Sequence, residues 1–506
     1  MRVEDLLRRS ARSDPAKTAI VSDGAYLSYG DLDVQASALA ANLLARGVAK
    51  GDRVLVLMEN IPEAAVAIYG ILKAGAIFCP VNPAVREEGL RFLIEDSEPR
   101  AVLTQAKFAT RCKAAVADAT SGPMVIAARG DALLPGDVAR FEEFLVPSNA
   151  AKGEAGTDDD LAMIIYTSGS TGRQKGVMMS HASMDFASGV IASYLGSRAD
   201  DVVLSALPLS FTYGLYQLLV TVRTGATLVL QKSFAFPVEV LEVARAEGAT
   251  GLPLVPTMAT LLLSMKDMNP DALPSLRTIT NAAAALPPAH VERLKGLFPR
   301  ARLFSMYGLT ECARATYLAP EEIERRPSSV GKALPGTKVA IVDEAGEPVA
   351  PGETGELVVH GPHVMRGYWR NAAATSLALR QDAGSGEIWL HTGDLFFADG
   401  DGFLHFLGRK DDMLKVRGEK VAPRQVEAVL HECPGVAEAV VIGLPDAVAG
   451  NRLHAIVVPS LPTLTEREVV RHCAGRLPDV MVPKSVEFRA ELPKTVSGKV
   501  VRRLVA

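Results

Sequence analysis

The strongest constraint on the fold is a recurring order of short, wholly apolar runs and longer amphipathic segments. Arg53–Met58 reads as a strand, Pro62–Lys73 as a helix and Ala76–Pro80 as a second strand. Runs that are apolar throughout belong to strands of a parallel sheet covered by helices, because alternation disappears when neither face meets water. The order recurs in Val202–Leu207, Tyr213–Val222, Thr227–Leu230 and Pro237–Glu247. The chain is therefore predicted to be α/β, with largely parallel sheets. The apolar stretch Ala64–Val81 is interrupted by Lys73 and ended by Pro80, so it falls short of the ~18 uninterrupted apolar residues of a membrane span. A buried helix leading into a buried strand is expected there.

The texture changes twice further along. Pro147–Asp160 is small and polar, and reads as a surface loop. After Val339, two short strands (Val339–Val342 and Glu356–Val359) flank the turn-rich DEAGEPVAPGETG, which predicts a small antiparallel β-subdomain. Near Arg409 the segment GRKDDMLKVRGEK concentrates charge on what reads as a linker. Beyond it come helices at Pro423–His431 and Glu466–Leu477, with strands at Val436–Ile442 and Leu453–Pro459. The expected outline is a large N-terminal body of α/β subdomains over 1–409 and a small α+β C-terminal domain over 410–506, joined by a charged hinge. Internal repeats and heptads are absent from the sequence.

Composition narrows the function. With 48% hydrophobic and 22% charged residues, the chain is an ordinary globular one. Its 54 basic and 58 acidic side chains leave a net charge of −4. That gives no electrostatic footprint for nucleic acid or an anionic membrane. The five cysteines are scattered without a CxxC pair, as expected in a reduced, cytoplasmic compartment. Met1–Pro15 lacks an apolar segment and carries Glu4 and Asp5, so no signal or transit peptide is expected.

The most informative stretch is Tyr166–Val177, YTSGSTGRQKGV, set between two strand-like runs. Seven of its residues are Gly, Ser or Thr, and Lys175 lies near its end. Glycines let backbone N–H groups turn inward, hydroxyls add donors and the lysine adds a point charge, so the loop suits a polyphosphate. It is not a Walker A loop, because Gln174 occupies the place of the second glycine.

This string resembles the signature of the adenylate-forming superfamily, which includes acyl-CoA synthetases, peptide-synthetase adenylation domains and luciferases. YGLTE (Tyr307–Glu311), HTGDL (His391–Leu395), GRKDDMLKVRGEKV (Gly408–Val421) and PKTVSGKVVRR (Pro493–Arg503) match further motifs of that family, in its order. The resemblance spans nearly the whole chain. It implies an AMP-forming ligase that joins a carboxylic acid to the α-phosphate of ATP, releases pyrophosphate, and passes the acyl group to a thiol. Cations and fixed donors are needed to bring two anions together.

By the same resemblance, Thr167, Ser168, Gly169, Ser170, Thr171 and Gly172 cradle the nucleotide, with Thr171 and Lys175 at the β and γ groups. Glu311 holds Mg²⁺, with Thr171 as a second metal contact. Tyr307 stacks on adenine near Thr310, Ala283 and Ala284, while Asp394 accepts the ribose hydroxyls beside Arg409. Lys499 bridges the acid and the α-phosphate. Asp411 takes the hinge position about which the small domain rotates, and Gly418 and Lys415 lie along the thiol tunnel. The acyl pocket falls to Phe211, Thr212, Asn281, Gly308 and Cys312.

Three places depart from the family pattern. Gln174 replaces a usual proline. Asn281-Ala282-Ala283-Ala284-Ala285 replaces a GGA-type loop and hints at a modest-sized acyl group. In LPLSFTYG, neutral Thr212 stands where amino-acid-activating relatives carry an aspartate. A buried ammonium without a counter-charge is costly, so an α-amino acid substrate is disfavoured. Arg314 has two readings, contact with a second carboxylate of the acid or an ordinary surface ion pair, and the second is the simpler. The chain stops soon after Lys499, so the acceptor is expected to be free coenzyme A, or alternatively the phosphopantetheine arm of a discrete carrier protein.

Overall fold

A computed structural model of the chain describes residues 1–130, 134–147, 156–168, 174–265, 269, 272–282, 286–382, 384–446, 450–493 and 505. The predicted βαβ unit is present. Arg53–Leu57 pairs in parallel with Ile77–Pro80, and Pro62–Lys73 crosses between them. Pro62 sits in the first turn of that helix, where its missing N–H costs nothing. All residues from Ala64 to Leu72 are buried, which explains the unbroken apolar run. Lys73, the one interruption, folds its ammonium onto Asp33 Oδ1 at 2.6 Å.

Among the described residues this unit belongs to an eight-stranded sheet. One end of that sheet is the antiparallel pair Leu161–Ser168 and Gln174–Ser180, edged by Gly367–Tyr368. A fourteen-stranded sheet forms the second layer. Its parallel centre runs through Thr227–Leu230, Val202–Ser205, Gly251–Leu254, Thr278–Asn281 and Arg302–Tyr307. The helix Thr212–Thr224 makes the crossover between its first two strands. The carboxyl ends of Thr278–Asn281 and Arg302–Tyr307 open side by side, the edge where open α/β sheets bind ligands.

The antiparallel strands expected after Val339 form as Lys338–Val342, Gly355–His360, Ile388–Ala398 and Leu404–Arg409. They are not a separate sheet. Ser329–Ala333 pairs with Thr316–Leu318 on one side and Leu404–Arg409 on the other, joining them to the parallel strands. This strand passes so close that a Cβ on Gly331 would stand 1.8 Å from the Tyr317 carbonyl oxygen.

The small domain has its own core of Val416, Val421, Val426, Leu430, Val441, Leu453 and Val469. The segment read as a charged linker is more ordered than expected. A single 3₁₀ turn, Lys410–Asp412, is followed by a tight hairpin of Leu414–Val416 and Glu419–Val421. The loop expected over Pro147–Asp160 lies largely outside the described residues. No helix among the described residues is long and apolar enough to cross a membrane.

Candidate active site

Three groups of side chains converge where the two large sheets meet. The first is built on facing strands. Asp394 and Arg409 are register partners of the Ile388–Ala398 and Leu404–Arg409 strands, and Tyr307 ends the Arg302–Tyr307 strand. The Tyr307 hydroxyl donates to Asp394 Oδ2 at 2.6 Å, and Arg409 Nε lies 3.1 Å from Asp394 Oδ1. The Tyr307 ring packs edge-on against Phe396, with centroids 4.9 Å apart. Burial and the neighbouring Asp394 charge push the Tyr307 hydroxyl well above its ordinary pKa. It therefore stays a donor, and the site keeps a carboxylate beside one permanent cation.

The second group surrounds Glu311. The Tyr368 hydroxyl donates to Glu311 Oε1 at 2.8 Å, and Lys175 Nζ lies 5.2 Å from the centroid of the same Tyr368 ring. Lys175 is placed by the register Thr167↔Lys175, and Tyr368 by its pairing with Val177. Gly176 is required for close packing: a Cβ there would meet Ile164 Cγ2 at 2.8 Å and Tyr166 Cζ at 3.1 Å. Among the described residues Glu311 makes no ion pair. An unpaired carboxylate beside a lysine suits a hard cation that carries phosphates.

The third group is the turn Gly308–Arg314 against the start of the Thr212–Thr224 helix. A Cβ on Gly308 would be 2.6 Å from the Ala313 carbonyl oxygen, and Ala313 itself has φ of 59°. Gly308 is thus fixed by the tightness of the turn. Thr310 lies within the same turn. Cys312 is fully buried within the main core, and burial pushes its thiol up to about 12, so it contributes packing rather than a nucleophile. Phe211 precedes the helix and Thr212 opens it, with Thr212 Oγ1 buried and without a hydrogen-bond partner. The Tyr213 hydroxyl meets Thr280 Oγ1 at 2.7 Å, beside buried Asn281.

Not every expected residue is placed. Gly169, Ser170, Thr171, Gly172, Ala283, Ala284 and Lys499 lie outside the described residues; Thr167 and Ser168 end the strand that leads to the first four. Asp411 is exposed in the 3₁₀ turn, and Lys415 is exposed on the hairpin that follows. Gly418 is exposed with φ of 87°, and a Cβ would meet nothing within 4 Å. In this arrangement the hairpin turn, not a narrow passage, requires the glycine.

Two participants carry no motif. Tyr368 comes from a two-residue strand that hydropathy does not reveal. Glu356 is buried under the HTGDL segment, where the Gly393 N–H donates to Glu356 Oε1 at 2.9 Å and Lys410 Nζ lies 3.4 Å from Oε2. Arg314 is the clearest departure from expectation. It is only 4% exposed, and no carboxylate among the described residues pairs with it, so the surface-ion-pair reading fails.

The chain belongs to the AMP-binding enzyme family, whose profile matches residues 7–369, with the AMP-binding enzyme C-terminal domain matched over 425–499. It is 32% identical to a long-chain-fatty-acid–CoA ligase of Escherichia coli, across 99% of this chain and 93% of that one. It is also 32% identical to an indoleacetate–CoA ligase of Aromatoleum aromaticum, across 100% and 98%. Among solved structures, ATP-bound MatB from Rhodopseudomonas palustris superposes with a TM-score of 0.90 at 31% identity, covering 100% of this chain and 98% of that one.

Proposed function

We propose that the protein is an ATP-dependent, AMP-forming carboxylic acid–coenzyme A ligase. In the first half-reaction a carboxylate oxygen attacks the α-phosphorus of ATP, and pyrophosphate leaves. In the second, the thiol of coenzyme A attacks the acyl carbon of the acyl-adenylate, and AMP leaves. The observation that carries this reading is the convergence of Tyr307, Asp394 and Arg409 with Glu311, Tyr368 and Lys175 at the sheet edge.

Each group has a task that its chemistry suits. Asp394, an acceptor held in place by Tyr307 and Arg409, takes the two ribose hydroxyls. Lys175 and the hydroxyl-rich loop before it draw charge off the leaving pyrophosphate as it builds up. Glu311 would hold Mg²⁺, which screens the phosphate charge, and one protein carboxylate suffices because this ion is commonly held by one or two carboxylates plus substrate phosphates. Lys499, carried by the small domain, would bring its ammonium to the α-phosphate during adenylation and leave before the thiol enters. The hinge for that exchange is Asp411, with domains at 1–409 and 410–506.

The test is product analysis with ATP, Mg²⁺, coenzyme A and a panel of carboxylic acids. AMP, pyrophosphate and an acyl-CoA are expected in equal amounts. ADP or inorganic phosphate as the nucleotide-derived product would overturn the reading in favour of a kinase or phosphohydrolase.

A further inference from the structure

Arg314 is a cation buried without a counter-charge among the described residues. It is 96% shielded, given an exposure of 4%. Its Nε has no hydrogen-bond partner, and none of the described carboxylates lies within ion-pair distance. What surrounds it is hydroxyl-bearing and aromatic. The guanidinium carbon stands 5.1 Å from the centroid of the Tyr213 ring. Arg314 hydrogen-bonds the Tyr194 hydroxyl, and its charge acts on Tyr194 and Tyr216 alike, opposing the effect of their burial. The Tyr216 hydroxyl and Thr212 Oγ1 are both buried without partners among the described residues. They lie four residues apart on one helix, a spacing that puts both on the same face.

Position gives this cluster its meaning. Arg314 follows Glu311 by three residues, through the left-handed Ala313. It packs on the first turn of the Thr212–Thr224 helix, the wall assigned above to the acid. A buried charge left unpaired is strongly unfavourable, and cation–π contact offsets only part of the cost. A counter-charge is therefore missing, and the orphaned hydroxyls of Thr212 and Tyr216, on the helix whose Tyr213 ring covers the guanidinium, are donors suited to the same acceptor.

We propose that the acid activated by this enzyme carries a second carboxylate, which binds Arg314 as a bidentate pair with Tyr216 and Thr212 donating to its remaining lone pairs. This inference rests on the ligase reading and names the substrate class of that site. A carboxylate fits better than a phosphate. One guanidinium balances one negative charge, whereas a phosphate group carries ~1.5–2 charges near neutral pH and would leave the surplus buried. The same positive charge repels an α-ammonium, which strengthens the case drawn from Thr212 against amino acids.

The experiment compares dicarboxylic acids, aliphatic and aryl, each with its own half methyl ester, in the AMP-release assay. The ester keeps length and shape but presents no charge to Arg314. At least one diacid is expected to exceed its half ester in kcat/KM by about 100-fold or more, the scale on which a site built for a polar group rejects an analogue lacking it. Arg314→Met is expected to reverse that preference, lowering kcat/KM for the diacid and raising it for the half ester. Arg314→Lys, which keeps the charge but not the fork, is expected to fall between. If the wild-type enzyme uses half esters or simple monoacids as well as diacids, the proposal is wrong while the ligase reading stands. It is equally wrong if Arg314→Met, shown folded by a melting temperature no lower than that of the wild type, slows diacid and half ester by the same factor. Failure of every acid to release AMP would instead strike the ligase reading itself.

Discussion

Glu356 shows how a buried carboxylate can be kept ionised under the strand that carries Asp394. Burial alone would push its carboxyl up, but His391 at 3.5 Å, the Gly393 N–H and Lys410 together pull it down from 4.5 to about 2. Because the folded value is depressed, the protein binds fewer protons folded than unfolded at mildly acidic pH. The stabilisation is fully present above the unfolded value of 4.5 and is lost as pH falls through about 2. Its size is on the order of 3 kcal/mol. Glu356→Gln keeps the hydrogen-bond acceptor and removes the titration. Urea unfolding midpoints measured from about pH 6 down to pH 3 should fall less steeply for this variant than for the wild type, since unfolded carboxylates titrate across that range. Parallel slopes would show that Glu356 is not held ionised by these contacts. Because Gly393 and Asp394 share this strand, the variant is also expected to raise KM for ATP more than it lowers kcat.

At the scale of elements, two helix glycines should respond to alanine with opposite sign. Gly189 lies within His181–Leu195, and an added Cβ would meet only the Arg223 guanidinium, at 3.4 Å, an ordinary van der Waals contact. Gly189→Ala is expected to stabilise by up to ~1 kcal/mol, the helix-propensity difference. Gly214 lies in the first turn of Thr212–Thr224, where a Cβ would stand 2.2 Å from the Pro208 carbonyl oxygen. Here backbone must move, and Gly214→Ala should destabilise by about 1–3 kcal/mol or more. Chemical denaturation separates the two; equal shifts would mean that the helix start is not seated on Pro208 as described. The same elements explain what was legible in the sequence. The βαβ unit was readable because burial on both sides leaves unbroken apolar runs. Tyr368 was not readable, since a two-residue strand has no period. Arg314 was misread because a charged residue in a loop is ordinarily at the surface, and only the turn at Ala313 carries it inward.

At the scale of the whole molecule, two half-reactions of different charge character share one site. Adenylation brings a carboxylate against a polyphosphate and needs an added cation; thioester formation starts from a mixed anhydride in which the acid's own charge is already masked, and needs room for a long thiol. A cation on a separate domain meets both demands if that domain can turn. The small domain is built for such independence, with its own core around Val441 and Val457, attached through the short Lys410–Asp412 turn. Its contact with the body includes Arg424, whose guanidinium stands 4.9 Å from the Phe406 ring, an interaction that can be remade elsewhere at small cost. Lys499→Ala should therefore divide the reaction. The rate of acyl-adenylate formation is expected to fall by at least ~100-fold, the scale of losing one preorganised charge at a transition state. Conversion of a supplied acyl-adenylate to acyl-CoA should remain within a few-fold of wild type. Single-turnover measurements of each half-reaction, with melting temperature as the control for folding, decide the point. If both halves drop together in a folded variant, one fixed arrangement serves both steps, and the assignment of Lys499 to adenylation alone fails.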